Sequence, residues 1–518
     1  MRRRELLAGI LSGAALAPLA GLATGARAQV RAGGEAINVV ERFGFVPDGR
    51  TDNYEAFHRL ADHATQNGGG HYIFPRGVYF VERFRTTPHG TTDRRHVVNA
   101  EYLDCDGLTL IGHGATIRLN GRFHRPATRG ADGLTVGVHM ATFMPFEIRR
   151  CRNVTIAGFE IDGGNSDMTR DPGVNEGYAH LIALNACSEV LLEDLHLHHG
   201  QVDGILLSDE GMMTNARPTR ACRNVHLRRV RCLNNARGGL APLQVFGLLA
   251  EDCEFSGNGF PGGRYDYHMP GFGVDIEPDR GNEGVDVDTK TGNLEFRRCN
   301  MFDNRSAVLA AYVHNFKGYC RFIDCNTRNR EDANHIIATW PGEGILFEGG
   351  EHDCGPGCFW LSWQSQTGGT TILRNLTIRS SHHFGMLHAF AGNLARVENC
   401  SLIGTHTDAS SGHFPFFAAD PGGGRRNVFA NNRIFIPAAH KDHSGPFDVE
   451  PNFHHTDLTG NEYRTDLAIP GEYFVLAFSV ETCRVRNERF RGSFPGFRDT
   501  FRPVASEVHD TRLPYSYP

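Results

Sequence analysis

Two carboxylates in the run FGVDIEPD, which begins at Phe272, carry the most pointed chemistry of this 518-residue chain. Side chains on a strand alternate between its two faces, so if Val274 and Ile276 face a core, Asp275 and Glu277 share the opposite face about 6.6 Å apart at the Cα level. Two acids on one concave surface supply what cleavage of a glycosidic bond requires: a proton donor and a base or nucleophile. Similar runs open at Asp203 (DGILLSDEG), Arg237 (RGGLAPLQ), Ser306 (SAVLAAYV), Asn334 (NHIIATW) and Gly357 (GCFWLSWQ). With Ile205, Leu207, Ile336, Ala338, Phe359 and Leu361 also inward, the outward set gains Ser208, Pro242, Thr339, Trp360 and Ser362. Only the run at 272 puts two acids outward. Asp203 is the assisting carboxylate. Arg237, opening the strand before that of Asp275, is expected against Asp275 or Glu277, where it lowers a carboxylate pKa or holds an anionic sugar. The alternative is an Arg–carboxylate pair that only stiffens a turn.

All three tryptophans, Trp340, Trp360 and Trp363, fall in this column of runs. Sugars stack their C–H faces on such rings. Gln244, and Tyr267 and His268 from an insertion that follows residue 257, complete the expected substrate-binding set. His196, His198 and His199, and again His382, His383 and His388, have the look of metal ligands, but exposed turn histidines are the commoner meaning. No CxxC pair has zinc spacing. The acidic loop with Asp286 and Asp288 suits calcium but reads as a solvated loop. The expectation is therefore no metal and no other cofactor.

The elements that position these residues repeat. Runs beginning near Val154, Val190, Val225, Leu248, Leu294, Arg321, Ile345, Ile372 and Ala395 recur, the last four 23–27 residues apart, as one three-strand turn of a solenoid would. Longer intervals, 36 residues from Val154 to Val190 and 46 from Leu248 to Leu294, imply loops inserted near 163–178, 211–220, 257–270 and 279–292. Cys151, Cys187 and Cys222 precede one kind of strand; Cys232, Cys253, Cys299, Cys325 and Cys400 open another. Recurrence at one rung position reads as an internal ladder of reduced thiols, although stacked rungs are close enough for a disulfide. Thirteen cysteines leave at least one that is free or pairs between molecules.

At the N-terminal side lies FGFVPDGRTDNYEAFHRLADHATQNGGGHYIFPRGVYFV, residues 43–81. Asp52 or Asn53 caps a helix whose apolar positions are Ala56, Phe57, Leu60, Ala61 and Ala64; Gly68 to Gly70 stop it before a short strand. The FG-x-x-x-DG-x-x-D element (Phe43, Gly44, Asp48, Gly49, Asp52), the triple glycine and FPRGVY resemble the opening of the pectate-lyase-like, polygalacturonase-like superfamily of carbohydrate-active proteins. That resemblance implies an all-β, single-domain right-handed parallel β-helix with an N-terminal capping helix over the first rung. It implies sugar chemistry by association only. The polygalacturonase Asp-Asp, GHG and R-x-K elements are missing, the epimerase D-P-H-D/E element lacks its His here, and no subfamily is matched.

Residues 1–28, with Arg2 to Arg4, an Ala/Leu/Gly run and Ala26-Arg27-Ala28, read as a twin-arginine-like export signal, or an ordinary secretory one, cleaved near Gln29. The domain is expected over 29–494, its cap at about 40–82, and a coil tail over 495–518. A net charge of −6 gives no electrostatics for nucleic acid, and no later apolar run would cross a membrane. The expected protein is a periplasmic or secreted glycoside hydrolase acting on a polysaccharide or oligosaccharide. The alternatives are a polysaccharide lyase or uronate epimerase, with Arg237 neutralising a uronate and His268, Tyr267 or His314 as base, and a non-catalytic glycan-binding β-helix. Oligomeric state is not legible.

Overall fold

The structure is a computed structural model. It describes residues 35–82, 86–89, 92–120, 140–141, 143–165, 177–209, 220–259, 271–278, 291–310, 317–329, 336–337, 345–354, 359–360, 370–380, 387–389, 394–404, 416–418, 421–435, 447–449, 452–464, 474–476, 479–491, 502–504 and 506–511. Among the described residues every strand pairing is parallel apart from one hairpin (Thr86–His89 with Thr92–Val97), and strands bond to the equivalent strand of the next turn. The chain is a right-handed parallel β-helix. One register line runs Thr109, Thr155, Leu191, His226, Leu249, Glu295, Arg321, Leu346, Ile372, Arg396.

That line confirms the long steps from Val154 to Val190 and from Leu248 to Leu294. It corrects the later ones. Arg321 pairs with Leu346 and Thr371 with Ala395, so aligning Arg321 with Ile345, or Ile372 with Ala395, slips by one residue. A one-residue slip exchanges faces. Cys320, Ile345 and Ala395 are the inward members, all buried. Inside, identical residues stack: the rings of Phe296, Phe322 and Phe347 lie 4.7 and 4.5 Å apart and nearly parallel. The twelve cysteines among the described residues are buried. Several donate to a carbonyl of the preceding turn, such as Cys187 Sγ to Ile148 O at 3.3 Å. Buried Asn235, Asn258 and Asn304 form a second ladder, each satisfying the backbone N–H of its neighbour.

At the N-terminal end, helix α1 (Val39–Phe43) precedes helix α2 (Tyr54–Gln66). The five predicted apolar positions of α2 are buried, and Phe57 meets Phe45, Phe143 and Phe146. Asn53 occupies the cap position, but Asp52 Oδ1 accepts the Tyr54 N–H at 3.2 Å. The Asn53 side chain instead clips Val46, Thr51 and Phe80 together. At the other end, Arg502–Val504 and Glu507–His509 pair as a further rung, where coil was expected.

The face that positions the site is a seven-stranded parallel sheet: β1 (Glu101–Leu103), β2 (Phe146–Arg149), β3 (Ile182–Asn185), β4 (Asp203–Ser208), β5 (Gly238–Pro242), β6 (Phe272–Ile276) and β7 (Ser306–Ala310). Ile148, Leu184, Leu207 and Ile276 face the central core, as do Ile205, Leu240 and Val274. Their neighbours therefore face outward.

Candidate functional site

On the outward side, one register column runs Glu101, Glu147, Ala183, Leu206, Ala241. Extending the Leu240–Val274 pair by one residue brings Asp275 next in line. Met144, Ala183, Leu206, Ala241 and Leu243 form an apolar cluster separate from the core. An apolar floor thus lies between two carboxyl ends, Glu147 and Asp275. Four strand steps separate them, about 19 Å.

Asp275 is outward, as the alternation predicts, yet only 4% exposed. Its Oδ1 has no hydrogen-bond partner among the described residues. Burial, then the negative charge of Glu277, push its pKa well above the ordinary carboxylate range, against the opposing pull of Arg237. Glu277 follows directly after β6 and is half-buried.

Asp203 and Arg237 depart from expectation. Gly238, not Arg237, stands opposite Asp203, and a Cβ at Gly238 would come within 2.8 Å of Asp203 Oδ1. Arg237 sits one residue earlier, in the turn, and reaches back: its Nε donates to Asp203 Oδ1 at 2.9 Å and its Nη2 to Oδ2. His180 Nδ1 lies 3.2 Å from Asp203 Oδ2. Burial works to raise the Asp203 pKa, but the charge and hydrogen bonds of Arg237, then His180, more than offset it and hold it far below normal. Burial likewise opposes the charge on Arg237; Asp203 first, then Asp275 and Glu277, keep it protonated. His180 is shifted toward neutrality by burial. Arg237 is therefore paired to Asp203 and bears on Asp275 and Glu277 through space.

The remaining candidates are placed as follows. Gln244 is buried at the turn after β5, its backbone bonded to Leu207 and Cys222. Pro242 pairs with Leu207 and so belongs to the inward column, where an outward place was expected; Leu243 takes the outward place. The Trp360 backbone pairs with Ile337 and His388, one residue out of phase with the pairing of Phe359 and core residue Leu387. Tyr267, His268, Trp340, Trp363, His314, Asp286, Asp288, His382 and His383 lie outside the described residues, as do residues 1–28.

Three residues of this face escaped the sequence reading. Glu147 is 3% exposed, and burial, then Glu101, push its pKa up to about 7 while Asn99 Nδ2 donates to its Oε2 at 2.7 Å. Asn185, fully buried, has no partner among the described residues for either amide atom. His180 completes the Asp203 pair. A signal was present for two of them. Glu101, Glu147 and Ala183 each stand four residues before a ladder cysteine, Cys105, Cys151 or Cys187, which gives their register directly.

No protein-family model matches the chain. An uncharacterised protein of Bacillus subtilis (strain 168), YclG, is 24% identical over 287 residues, which are 55% of this chain and 44% of that one. The chain thus spans less than half the length of this curated relative. Among solved structures, an exopolygalacturonase from Thermotoga maritima is 13% identical, covering 89% of this chain and 92% of its own, with a TM-score of 0.33. The mannuronan C-5 epimerase AlgE4 A-module of Azotobacter vinelandii is 13% identical over 92% and 100%, at 0.32. The adhesin PfbA of Streptococcus pneumoniae is 10% identical over 88% and 92%, at 0.39.

Proposed function

We propose that this chain is an exported glycoside hydrolase acting on a polysaccharide or oligosaccharide. Asp275 is the proton donor and Glu277 the base. The observation that supports this reading is the pairing of a buried, proton-holding Asp275, its Oδ1 without a hydrogen-bond partner among the described residues, with a more open carboxylate two residues on. Two acids with divergent environments on one face are what acid/base division of labour requires. Asp275 protonates the leaving glycosidic oxygen as the C–O bond breaks. Glu277 takes the proton of the water that adds to the anomeric carbon. Arg237, fixed by Asp203, holds positive charge near Asp275 and Glu277. The apolar floor and Asn185 supply surface for C–H faces and hydroxyls along the groove. Residues 1–28 direct the chain out of the cytoplasm.

Elimination or epimerisation of a uronate has less support, because the guanidinium that would meet the carboxylate is engaged by Asp203. The test is a panel of neutral and acidic glycans with mass-spectrometric product analysis. Hydrolysis releases reducing ends without ultraviolet absorbance, and Asp275→Asn lowers its rate by about 10²–10⁴-fold. Unsaturated, absorbing products would assign a lyase, and binding without turnover a glycan-binding β-helix; either overturns the proposal. So would full activity in folded Asp275→Asn and Glu277→Gln variants.

A further inference from the structure

Away from that groove, two adjacent rungs of another face concentrate imidazoles and carboxylates. Strands Arg152–Asp162 and His196–His198 pair with Glu160 opposite His196, Ile161 opposite Leu197 and Asp162 opposite His198. Ile161 and Leu197 are core residues, so Glu160, Asp162, His196 and His198 all face outward as a two-by-two array. His199 follows in the left-handed conformation, at φ 52°, and its ring turns back against that of His198. The equivalent positions on the next rungs hold Arg231 and Leu233, then Glu254 and Ser256, so the imidazoles are confined to this place.

The donor atoms converge. His198 Nδ1 and His199 Nδ1 are 2.7 Å apart, and Asp162 Oδ1 lies 3.8 Å from each. In a tetrahedral zinc site with bonds of about 2.0–2.1 Å, ligand atoms stand about 3.3 Å from one another, and these three separations bracket that value. On its other side His198 Nε2 is 3.1 Å from Glu160 Oε1, and Thr116 Oγ1 donates to Glu160 Oε2 at 2.8 Å. A carboxylate on the far nitrogen of an imidazole, itself held by a hydroxyl, is the arrangement that orients a metal-bound histidine. Asp162 Oδ1 also accepts the Gly164 N–H at 3.0 Å, which fixes the carboxylate. The Asp162 and His199 side chains are 29% and 39% exposed, so an ion has a path in and an open coordination position.

We propose that Asp162, His198 and His199 bind one divalent first-row transition ion of the zinc class, with Glu160 and Thr116 orienting His198. Two imidazoles and a carboxylate select for such ions over magnesium or calcium, which take oxygen ligands. The sequence alone led to an expectation of no metal.

The test is titration of chelator-stripped, folded protein with Co²⁺, read by visible d–d absorption, and competition by Zn²⁺ read by calorimetry. One equivalent of Co²⁺ should bind and be displaced by Zn²⁺. His199→Ala or Asp162→Asn should abolish the spectrum, while Glu160→Gln should weaken affinity by about 10–100-fold. His196→Ala should leave the spectrum intact. Circular dichroism melts of each variant establish that the fold survives. No saturable uptake by the parent chain overturns the site. Loss in His196→Ala with retention in His199→Ala overturns this ligand set, because Glu160, His196 and His198 also converge within 4.8 Å.

Discussion

Two populations of charge occupy this solenoid, and they are built in opposite ways. At the turns flanking the long sheet, left-handed residues stack as Asp194, Arg229, Asp252 and Arg298, each arginine reaching an acid of the preceding turn. Glu193, Glu251 and Glu295 join the same networks. These pairs are exposed: Arg298 and Asp252 side chains are 54% and 48% accessible. Around Asp275, among the described residues, the charges are buried, with Asp203 and Arg237 at 1% and 14%. There the partners do not simply cancel. One cation serves three acids, and Asp275 and Glu147 take up protons instead of pairing. A ladder of exposed ion pairs fixes turn geometry at small energetic cost. A buried, incompletely compensated cluster holds groups in unusual protonation states, which is the condition of reactive sites.

The largest expected effect breaks that contrast directly. Arg237→Met leaves Asp203 buried with His180 as its remaining close partner among the described residues, and should destabilise the chain by about 3–5 kcal/mol in equilibrium denaturation. Its pH dependence should also change sign. In the parent, Asp203 has a depressed pKa, so its contribution is present above the ordinary carboxylate range and is lost as pH falls. In the variant Asp203 is left to take up a proton, and stability should fall as pH rises. A loss below 1 kcal/mol would mean that the buried cluster is no more costly to break than the exposed ladders.

How much of this was legible in the sequence follows from periodicity. Alternation around Val274 and Ile276 put Asp275 on the outward side, because a period of two survives any uncertainty in turn length. The partner of Arg237 was not legible. It depends on whether Arg237 or Gly238 stands opposite Asp203, and the lengths of the connecting turns, which vary from rung to rung, decide that. The same cause produced the slips at Arg321 and Ile372. Glu147 and Asn185 were legible in principle, since the cysteine ladder sets their register, but their strands of four residues carry no pattern of their own. The compensating contact of His180 with Asp203 crosses turns and leaves no mark in local sequence.

A second effect sharpens the comparison at the other end of the groove. The Glu147 pKa of about 7 in the folded chain, against 4.5 for an ordinary glutamate, means that the folded state keeps a proton the unfolded chain releases. Its stabilising contribution is complete below pH 4.5 and is lost as pH rises through 7, about 3 kcal/mol across the window. Glu147→Gln should remove that share of the slope when unfolding free energy is measured from pH 4.5 to 7.5. Some slope should remain, because Glu488, buried against Asn461, is also raised to about 7. A slope unchanged by Glu147→Gln would show that Glu147 is ionised and compensated in the folded chain, like the exposed acids.

The smallest effect is the control on which the contrast rests. Arg298→Met removes a bidentate contact to Asp252, at 2.7 and 3.0 Å, that is geometrically as good as the one between Arg237 and Asp203. Asp252 is about half-exposed, so water can solvate it once its partner is gone and little desolvation penalty is left uncompensated. The loss should stay below about 1 kcal/mol and shrink further in high salt. If Arg298→Met instead cost as much as Arg237→Met, hydrogen-bond geometry and not burial would govern these pairs. The unusual protonation of Asp275 and Glu147 would then lose its physical basis, since burial is the leading cause of both.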